Sequence, residues 1–120
     1  RTSIETIDGK ETLLTAARRM AEKRTGSLLV AEAGEVVGIV TESDMVRKAL
    51  AYKLDAGLIR VGSFMNHPVI DIDINRTVHD ASDLMAEKGI RHLAITQDGQ
   101  IVGMISVRDL LRYFKNWGTL

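Results

Sequence analysis

A chain of 120 residues that is 45% apolar and 27% charged is expected to fold, with room for one substantial core but little for two independently stable domains. Its 16 basic and 16 acidic side chains cancel and are interspersed, which argues against binding to nucleic acid or to a membrane through an extended charged surface. The absence of cysteine excludes disulfides and cysteine-based zinc sites, and no apolar run approaches the roughly 18 residues of a membrane span, so we expect a cytoplasmic protein.

An internal repeat organises the sequence. One fixed shift, without a gap, superposes Met20–Lys23 on Met85–Lys88 and Val37–Gly38 on Val102–Gly103. Sequence repeats of this kind usually correspond to supersecondary units that cannot bury their apolar faces alone. We therefore expect residues 1–60 and 61–120 to be two repeats that together form one module.

Each repeat is predicted to have the order β-α-β-β-α, an α+β fold. Helices are indicated by apolar residues at helical spacing, strands by short apolar runs, and breaks by glycine. In the first repeat the elements are a strand at Ile4–Ile7, a helix from Thr12 to near Gly26, strands at Leu28–Val30 and Val36–Val40 around a turn at Ala33–Gly34, and a helix at Ser43–Leu54. After a linker at residues 56–63, the second repeat has a strand at Val69–Ile72, a helix from Thr77 to Gly89, strands at Leu93–Ile95 and Ile101–Ile105 around Asp98–Gly99, and a helix at Val107–Phe114.

The first repeat lacks the lead-in that the second has. Phe64–Pro68 precede the strand of the second repeat, whereas the first repeat begins almost at its strand and without an initiating methionine. We therefore expect an excised domain or a part of a longer protein.

One motif occurs in both repeats where a buried strand meets a helix. Gly38, Thr41 and Asp44 in the first repeat correspond to Gly103, Ser106 and Asp109 in the second. The glycine leaves space for a flat ligand, the helix start offers N–H groups to an anion, and a carboxylate can accept hydrogen bonds from both vicinal hydroxyls of a ribose.

The same residues have a purely structural interpretation. Ser/Thr-x-x-Asp is also a capping box, in which the hydroxyl and the carboxylate bind backbone N–H groups at the helix start. Thr77–Asp80 has this form with no claim to a ligand. For either copy taken alone, capping is the stronger interpretation; the recurrence of glycine, hydroxyl and aspartate in both repeats favours a ligand.

The sequence resembles the CBS repeats, named after cystathionine β-synthase, which pair with pseudo-twofold symmetry into a Bateman module. The doubled Gly-h-h-Ser/Thr-x-x-Asp motif, where h is apolar, carries the resemblance. Phe64–Ile70 and Gly89–Ile95 support it. Asn66 departs from the threonine that commonly follows the methionine in this family.

The resemblance implies two clefts that hold AMP, ADP, ATP or a related adenosyl compound. Asp44 would bind the ribose diol beside Thr41, and Asp109 would do so beside Ser106. The motif of one repeat would face the first strand and the pre-hairpin segment of the other. The residues implied for the Asp44 cleft are Gly38, Pro68, Val69, Ile70, Arg91 and His92, and those for the Asp109 cleft are Gly103, Ile4, Ile7, Gly26 and Ser27.

The two implied clefts differ in charge. Arg91 and His92 would lie near the phosphates in the Asp44 cleft, where the Asp109 cleft has Gly26 and Ser27, with Lys23 or Arg24 as substitutes for the cations. We expect the Asp44 cleft to bind nucleotide more tightly. The alternative for Arg91 and His92 is a solvated rim.

Catalysis and metal binding are not expected, and neither is a catalytic cofactor. His67, His79 and His92 lack the spacing of metal ligands, and Asp71 and Asp73 fit a solvated strand edge. Two hypotheses remain open. One is a regulatory module that senses cellular energy through an adenine nucleotide and controls a fused or separate protein; the other is a ligand-free dimerisation or protein-interaction module.

A homodimer is expected under both hypotheses. The second helix of each repeat carries more apolar residues than one small sheet can cover. These are Met45, Val46 and Leu50 in the first repeat and Leu110, Leu111 and Phe114 in the second.

Overall fold

A computed structural model describes residues 4–115 of the chain, which fall into two units. The first unit is Glu5–Val69, and the second takes in Ile4 and residues 70–115. The outermost parts of the two predicted repeats, residues 1–3 and 116–120, lie outside the described residues. Each unit consists of one three-stranded sheet and its helices, which confirms the predicted α+β fold class.

The sheet of the first unit has β2 at its centre. Strand β1 (Thr6–Asp8) pairs in parallel with β2 (Ser27–Glu32), which pairs antiparallel with β3 (Glu35–Thr41). Helix α1 (Leu13–Lys23) connects the parallel strands, as such a crossover requires. The β2–β3 turn lies at Ala33 and Gly34, whose φ angles of 52° and 79° give the backbone twist that a two-residue hairpin needs.

The second helix of the first unit is irregular. It begins as α2 (Glu42–Asp44), continues as a π-helix at Met45–Ala49 and ends as a 3₁₀ turn at Leu50–Tyr52. The sequence predicted one continuous helix over Ser43–Leu54, so its position is confirmed but its winding is not. Only Ala49 of the π-helix is buried, and it packs into the core of this unit.

A short helix in the predicted linker completes the first unit. Helix α3 (Val61–Phe64) holds Val61 fully buried against the core, and the Val61 N–H donates to the Glu11 carbonyl at 2.8 Å. Residues 56–63 are therefore a packed part of the first unit. The core that they help to close consists of Ile7, Leu13, Ala16, Met20, Leu28, Val30, Val40, Ala49 and Val61.

The second unit repeats the arrangement with more regular helices. Its elements are β4 (Asp71–Asp73), α4 (Val78–Lys88), β5 (His92–Gln97), β6 (Gln100–Ser106) and α5 (Val107–Phe114), with the sheet order β4-β5-β6. The buried centre is Ala81, Met85, Leu93 and Leu110. The Phe114 ring packs on His79 of α4 with 5.2 Å between ring centroids, which ties α5 to α4.

Several predicted boundaries need correction. The first strands begin at Thr6 and Asp71, two residues after the predicted Ile4 and Val69. Helix α1 ends, near Gly26 as predicted, at its C-cap Arg24, which adopts the left-handed conformation with φ 54°. Gly89 ends α4, as predicted, and adopts the same conformation.

Candidate functional site

The strand-to-helix junction of the first unit brings the hydroxyl and the carboxylate of the motif together. Thr41 ends β3 in an extended conformation, and its Oγ1 accepts a hydrogen bond from the Asp44 N–H at 3.2 Å. The Thr41 hydroxyl in turn donates to Asp44 Oδ2 at 3.0 Å. The hydroxyl therefore caps the helix, while it also holds the carboxylate at the end of the strand.

Two further side chains bind the Asp44 carboxylate. Asn66 donates from Nδ2 to Asp44 Oδ2, and Lys48 places its Nζ 3.5 Å from Asp44 Oδ1. Lys48 Nζ also donates to Asn66 Oδ1 at 3.2 Å. Asp44, Lys48 and Asn66 thus form a polar cluster, the Asp44 cluster. The Asp44 side chain is 19% exposed, so its carboxylate is partly screened from water but still accessible.

Close approach of two backbone segments puts Asn66 in reach. The Asn66 N–H and carbonyl form two hydrogen bonds of 2.9 Å with Ile39, next to Gly38 in β3. A Cβ at Gly38 would lie 2.7 Å from the Asn66 carbonyl oxygen and 2.5 Å from Met65 Sδ. The glycine that we expected to make room for a ligand makes room here for Met65 and Asn66 of the same unit.

The helix that follows Asp44 is wound as a π-helix from Met45 to Ala49. Such segments are rare and occur frequently at functional sites. Here the winding starts directly after the carboxylate residue and contains Lys48, the cation of the cluster.

The corresponding junction of the second unit is a complete capping box. Ser106 Oγ accepts from the Asp109 N–H at 3.3 Å, and Asp109 Oδ2 accepts from the Ser106 N–H at 2.8 Å and from its hydroxyl at 3.1 Å. The capping interpretation is therefore confirmed for this copy. A regular α-helix, α5, follows it.

Thr77 and Asp80 form the second complete capping box, as the sequence predicted. Asp80 also accepts from Arg76 Nε at 3.0 Å. This hydrogen bond from Arg76, followed by the one from the Thr77 backbone, holds the pKa of the Asp80 carboxyl below its ordinary value. Asp80 therefore serves as a reference for an aspartate whose partners, Arg76 and Thr77, lie at the start of its own helix.

Within each unit, the pre-hairpin residues lie beside the hydroxyl of that same unit. Ser27 pairs with Thr41 across the sheet, and the Glu42 N–H donates to the Gly26 carbonyl at 2.9 Å. In the second unit His92 pairs with Ser106, next to the exposed Arg91. The implied arrangement in which Arg91 and His92 face Asp44 stays a prediction.

The remaining predicted site residues differ in accessibility. Ile7 is 2% exposed and belongs to the core of the first unit, whereas Ile4 and Ile70 are each 36% exposed. Pro68 is exposed and follows a cis peptide bond, and Val69 is half-buried. Gly103, like Gly38, is buried in its strand.

Sequence reasoning missed Lys48 and Asn66 as members of the Asp44 cluster. Lys48 lies four residues after Asp44, and this spacing on a helix could have identified it. Asn66 is 22 residues from Asp44 and carries no local signal beyond its departure from the family pattern.

The first unit also has an open polar groove of about 480 Å³. It shares no residue with the Asp44 cluster. Its lining residues are Gly9, Lys10, Glu32, Arg60, Gly62 and Ser63. In this groove the Arg60 guanidinium donates a hydrogen bond to the Lys10 carbonyl at 2.7 Å. The groove is therefore part of the packing of residues 60–63 on the end of β1.

Over residues 4–115, no three histidine, aspartate or glutamate side chains are grouped as metal ligands. The helices in this range are all too short or too polar to cross a membrane.

The sequence profile of the CBS domain matches residues 1–51 and again residues 61–116. An uncharacterised protein of Methanopyrus kandleri is 34% identical over 85% of this chain, which spans only 53% of that protein. An uncharacterised conserved protein of Pyrococcus horikoshii has a similar structure, with a TM-score of 0.89, 29% identity, and coverage of 100% of this chain and 91% of that one.

A hexameric CBS-CP12 protein from bloom-forming cyanobacteria is also similar in structure. It has a TM-score of 0.85 and 31% identity, over 99% of this chain and 72% of that one. The two profile matches cover most of the sequence, each on a β-α-β-β-α repeat. The chain therefore belongs to the CBS-domain family and carries a pair of CBS repeats, the organisation of a regulatory module.

Proposed function

We propose that the chain is a regulatory module that binds an adenine nucleotide, AMP, ADP or ATP, through Asp44. The observation that carries the proposal is the Asp44 carboxylate, which is held at the end of β3 with the Thr41 hydroxyl on one oxygen and the Lys48 ammonium near the other. A carboxylate in this position can accept hydrogen bonds from the two hydroxyls of a ribose.

The contrast with Asp109 supports Asp44 as the stronger site. The carboxylate of Asp109 is used by the backbone N–H of Ser106, so a ligand there would compete with the cap of α5. Thr41 caps its helix through its hydroxyl oxygen. The Asp44 carboxylate accepts its hydrogen bonds from the Thr41 and Asn66 side chains. Side chains can exchange partners without opening the helix.

Regulation follows from differential affinity. A ligand that binds one conformation of the module more tightly shifts the population toward it, and so biases a domain fused to the module or a separate partner protein. The 53% coverage of the Methanopyrus kandleri protein leaves room in that relative for further segments. We place the regulated activity of this protein outside the CBS pair.

Calorimetric titration with AMP, ADP, ATP and S-adenosylmethionine tests the proposal. We expect a phosphorylated ligand to bind the wild-type protein, and Asp44→Ala to weaken its binding by roughly tenfold or more, because a hydrogen-bonded charged group is lost. Asp109→Ala should have a smaller effect, and Asp80→Ala is the matched control because Asp80 has the same local motif. Arg91→Ala tests the phosphate contact that the family resemblance implies.

No heat with any of the four ligands, in protein shown to be folded by circular dichroism, would reject nucleotide binding. Equal losses in Asp44→Ala and Asp80→Ala would place the effect in helix stability and reject the assignment to Asp44.

Exposed apolar side chains favour homodimerisation as a second function, with or without a ligand. On the second helix of the first unit, Val46 is 56% and Leu50 is 70% exposed, and Leu111 of α5 is 65% exposed. Leu110, which the sequence grouped with them, is only 6% exposed and belongs to the core. Met45 and Phe114 also pack against their cores, so they offer less surface to a partner than predicted.

Light scattering of Leu50→Asp and Leu111→Asp tests this function. We expect both variants to shift a wild-type dimer toward monomer, because a charged group would be desolvated at the contact. Ile74→Asp is the control, since Ile74 is a 46% exposed apolar residue outside these helices. A dimer that persists in both variants would reject these helices as the interface.

A further inference from the structure

The Asp44 carboxylate is already occupied at one of its two oxygens. Oδ2 accepts hydrogen bonds from the Thr41 hydroxyl and from the Asn66 amide, which uses both of its lone-pair positions. Oδ1 faces the Lys48 ammonium at 3.5 Å. A ribose whose two hydroxyls bind both carboxylate oxygens therefore needs one donor to leave Oδ2.

We propose that Asn66 is an intramolecular competitor for Asp44, which the nucleotide displaces and which sets the affinity of the site. This inference rests on the proposed function, because it assumes that a ribose binds Asp44. Thr41 is the less suitable donor to leave, since its Oγ1 also caps the helix through the Asp44 N–H. The Asn66 side chain caps no helix, and its Oδ1 accepts only from the exposed Lys48 side chain among the contacts described above, which can turn to water when the amide leaves.

The Asn66 side chain can leave while its backbone stays. The two 2.9 Å hydrogen bonds to Ile39 involve only the Asn66 main chain, so they hold the residue beside β3 whichever way the amide points. Asn66 is exposed, and the side chain of its partner Lys48 is 54% exposed. Exposed side chains change rotamer on the picosecond to nanosecond timescale, so displacement requires no unfolding.

The competition predicts that removal of the amide strengthens binding. Asn66→Ala keeps the backbone bridge to Ile39 but leaves Oδ2 with one lone-pair position for the ligand. We expect Asn66→Ala to bind ATP roughly threefold to tenfold more tightly than the wild-type protein, which corresponds to the net free energy of one typical hydrogen bond. Asn66→Thr, which introduces the residue common in the family, should also raise the affinity if its shorter side chain fails to reach Asp44. Asn75→Ala is the matched control, because Asn75 is an exposed asparagine after β4 in the second unit.

The side-chain amide resonances of Asn66 give a second readout that does not depend on a variant. In ¹⁵N-resolved NMR spectra of the wild-type protein, we expect the Asn66 Nδ2 signals to be shifted by the carboxylate in the free state. On saturation with ATP they should move toward the position of a solvated amide such as that of Asn75. The experiment uses the full chain and ATP as the probe.

The outcomes separate this inference from the proposed function. If ATP, ADP and AMP bind neither the wild-type protein nor Asn66→Ala, the nucleotide function itself is rejected. If a nucleotide binds the wild-type protein, but Asn66→Ala binds it with equal or lower affinity and the Asn66 amide signals stay in place, the competitor role is rejected and the binding function stands. Tighter binding by Asn66→Ala together with moving amide signals supports both.

Discussion

The junctions at Thr41–Asp44 and Ser106–Asp109 share one sequence pattern and one place in their units, but their carboxylates have different partners. Asp109 turns back to the Ser106 N–H and completes the cap of α5. Asp44 instead binds the amide of Asn66, a residue 22 positions away, and lies near Lys48. Both hydroxyls cap their helices, but the carboxylate completes a capping box in the second unit and joins a polar cluster in the first.

In the first unit, the segment that lies against Gly38 supplies one partner of the aspartate. Asn66 reaches Asp44 because its backbone pairs with Ile39, and this pairing needs a residue without a Cβ at position 38. Asn66 and Lys48 lie beside the Asp44 carboxylate, whereas the Asp109 carboxylate accepts from the Ser106 N–H. The motif alone therefore does not fix the partners of its carboxylate.

We expect Gly38→Ala to destabilise the Thr41–Asp44 junction more than any substitution of an aspartate. The new Cβ would lie 2.7 Å from the Asn66 carbonyl oxygen, so residues 65 and 66 must move away from β3. Overpacking of this kind costs about 1–3 kcal/mol of the free energy of unfolding, measured with urea. Gly57→Ala is the control, because a Cβ there would have only Asp55 Oδ1 near it, at 3.3 Å. Equal stability of Gly38→Ala and the wild-type protein would contradict the proposed close approach.

Replacement of the two aspartates should lower the free energy of unfolding by different, smaller amounts. Asp109→Ala removes an acceptor of the Ser106 N–H and is expected to cost about 1 kcal/mol in urea unfolding, as is typical of a lost cap. Asp44→Ala should cost less, because its donors Lys48 and Asn66 are exposed side chains that water can satisfy once the carboxylate is removed. The two should therefore rank oppositely in stability and in nucleotide binding.

Amide hydrogen exchange locates this effect. In Asp109→Ala the Ser106 amide should exchange faster, because its acceptor is lost, whereas the Thr41 amide in Asp44→Ala should keep its rate. Faster exchange of both amides would show that the two carboxylates act alike and would contradict the difference between the junctions.

Local sequence signals predicted much of the fold. Thr12 and Thr77 mark the starts of α1 and α4 because their hydroxyls accept from backbone N–H groups three residues on. The bounds of α5 are as predicted, since Ser106 caps its start. The hairpin turn at Asp98 and Gly99 has positive φ at both positions, which Asp-Gly pairs favour.

Features that depend on distant contacts were not predictable in this way. Helix α3 is held by the hydrogen bond from Val61 to Glu11 and by burial of Val61, and neither leaves a pattern in residues 56–63. The end of α1 was predicted near Gly26, but its capping residue, Arg24, was not identified because a residue with a Cβ takes a conformation that glycine usually occupies. Asp44 was identified from its motif, but Asn66, its hydrogen-bond partner, belongs to another part of the chain.

The capping box at Thr77–Asp80 should make a small contribution to stability that depends on pH. Hydrogen bonds from Arg76 and Thr77 lower the pKa of Asp80 in the folded protein. A lowered folded-state pKa means that the contribution to stability is complete above the unfolded-state value and is lost as the pH falls through the folded-state value. The difference in Tm between the wild-type protein and Asp80→Asn should therefore be constant near neutral pH and should narrow only below a pH of about 4. Asp83→Asn, on the same helix, controls for the change in net charge. A difference in Tm that stays constant down to the acid limit of folding would show that the charge of the Asp80 carboxylate contributes nothing to stability. The stabilising role of the box at Ser106–Asp109 would then rest on its hydrogen-bond geometry alone.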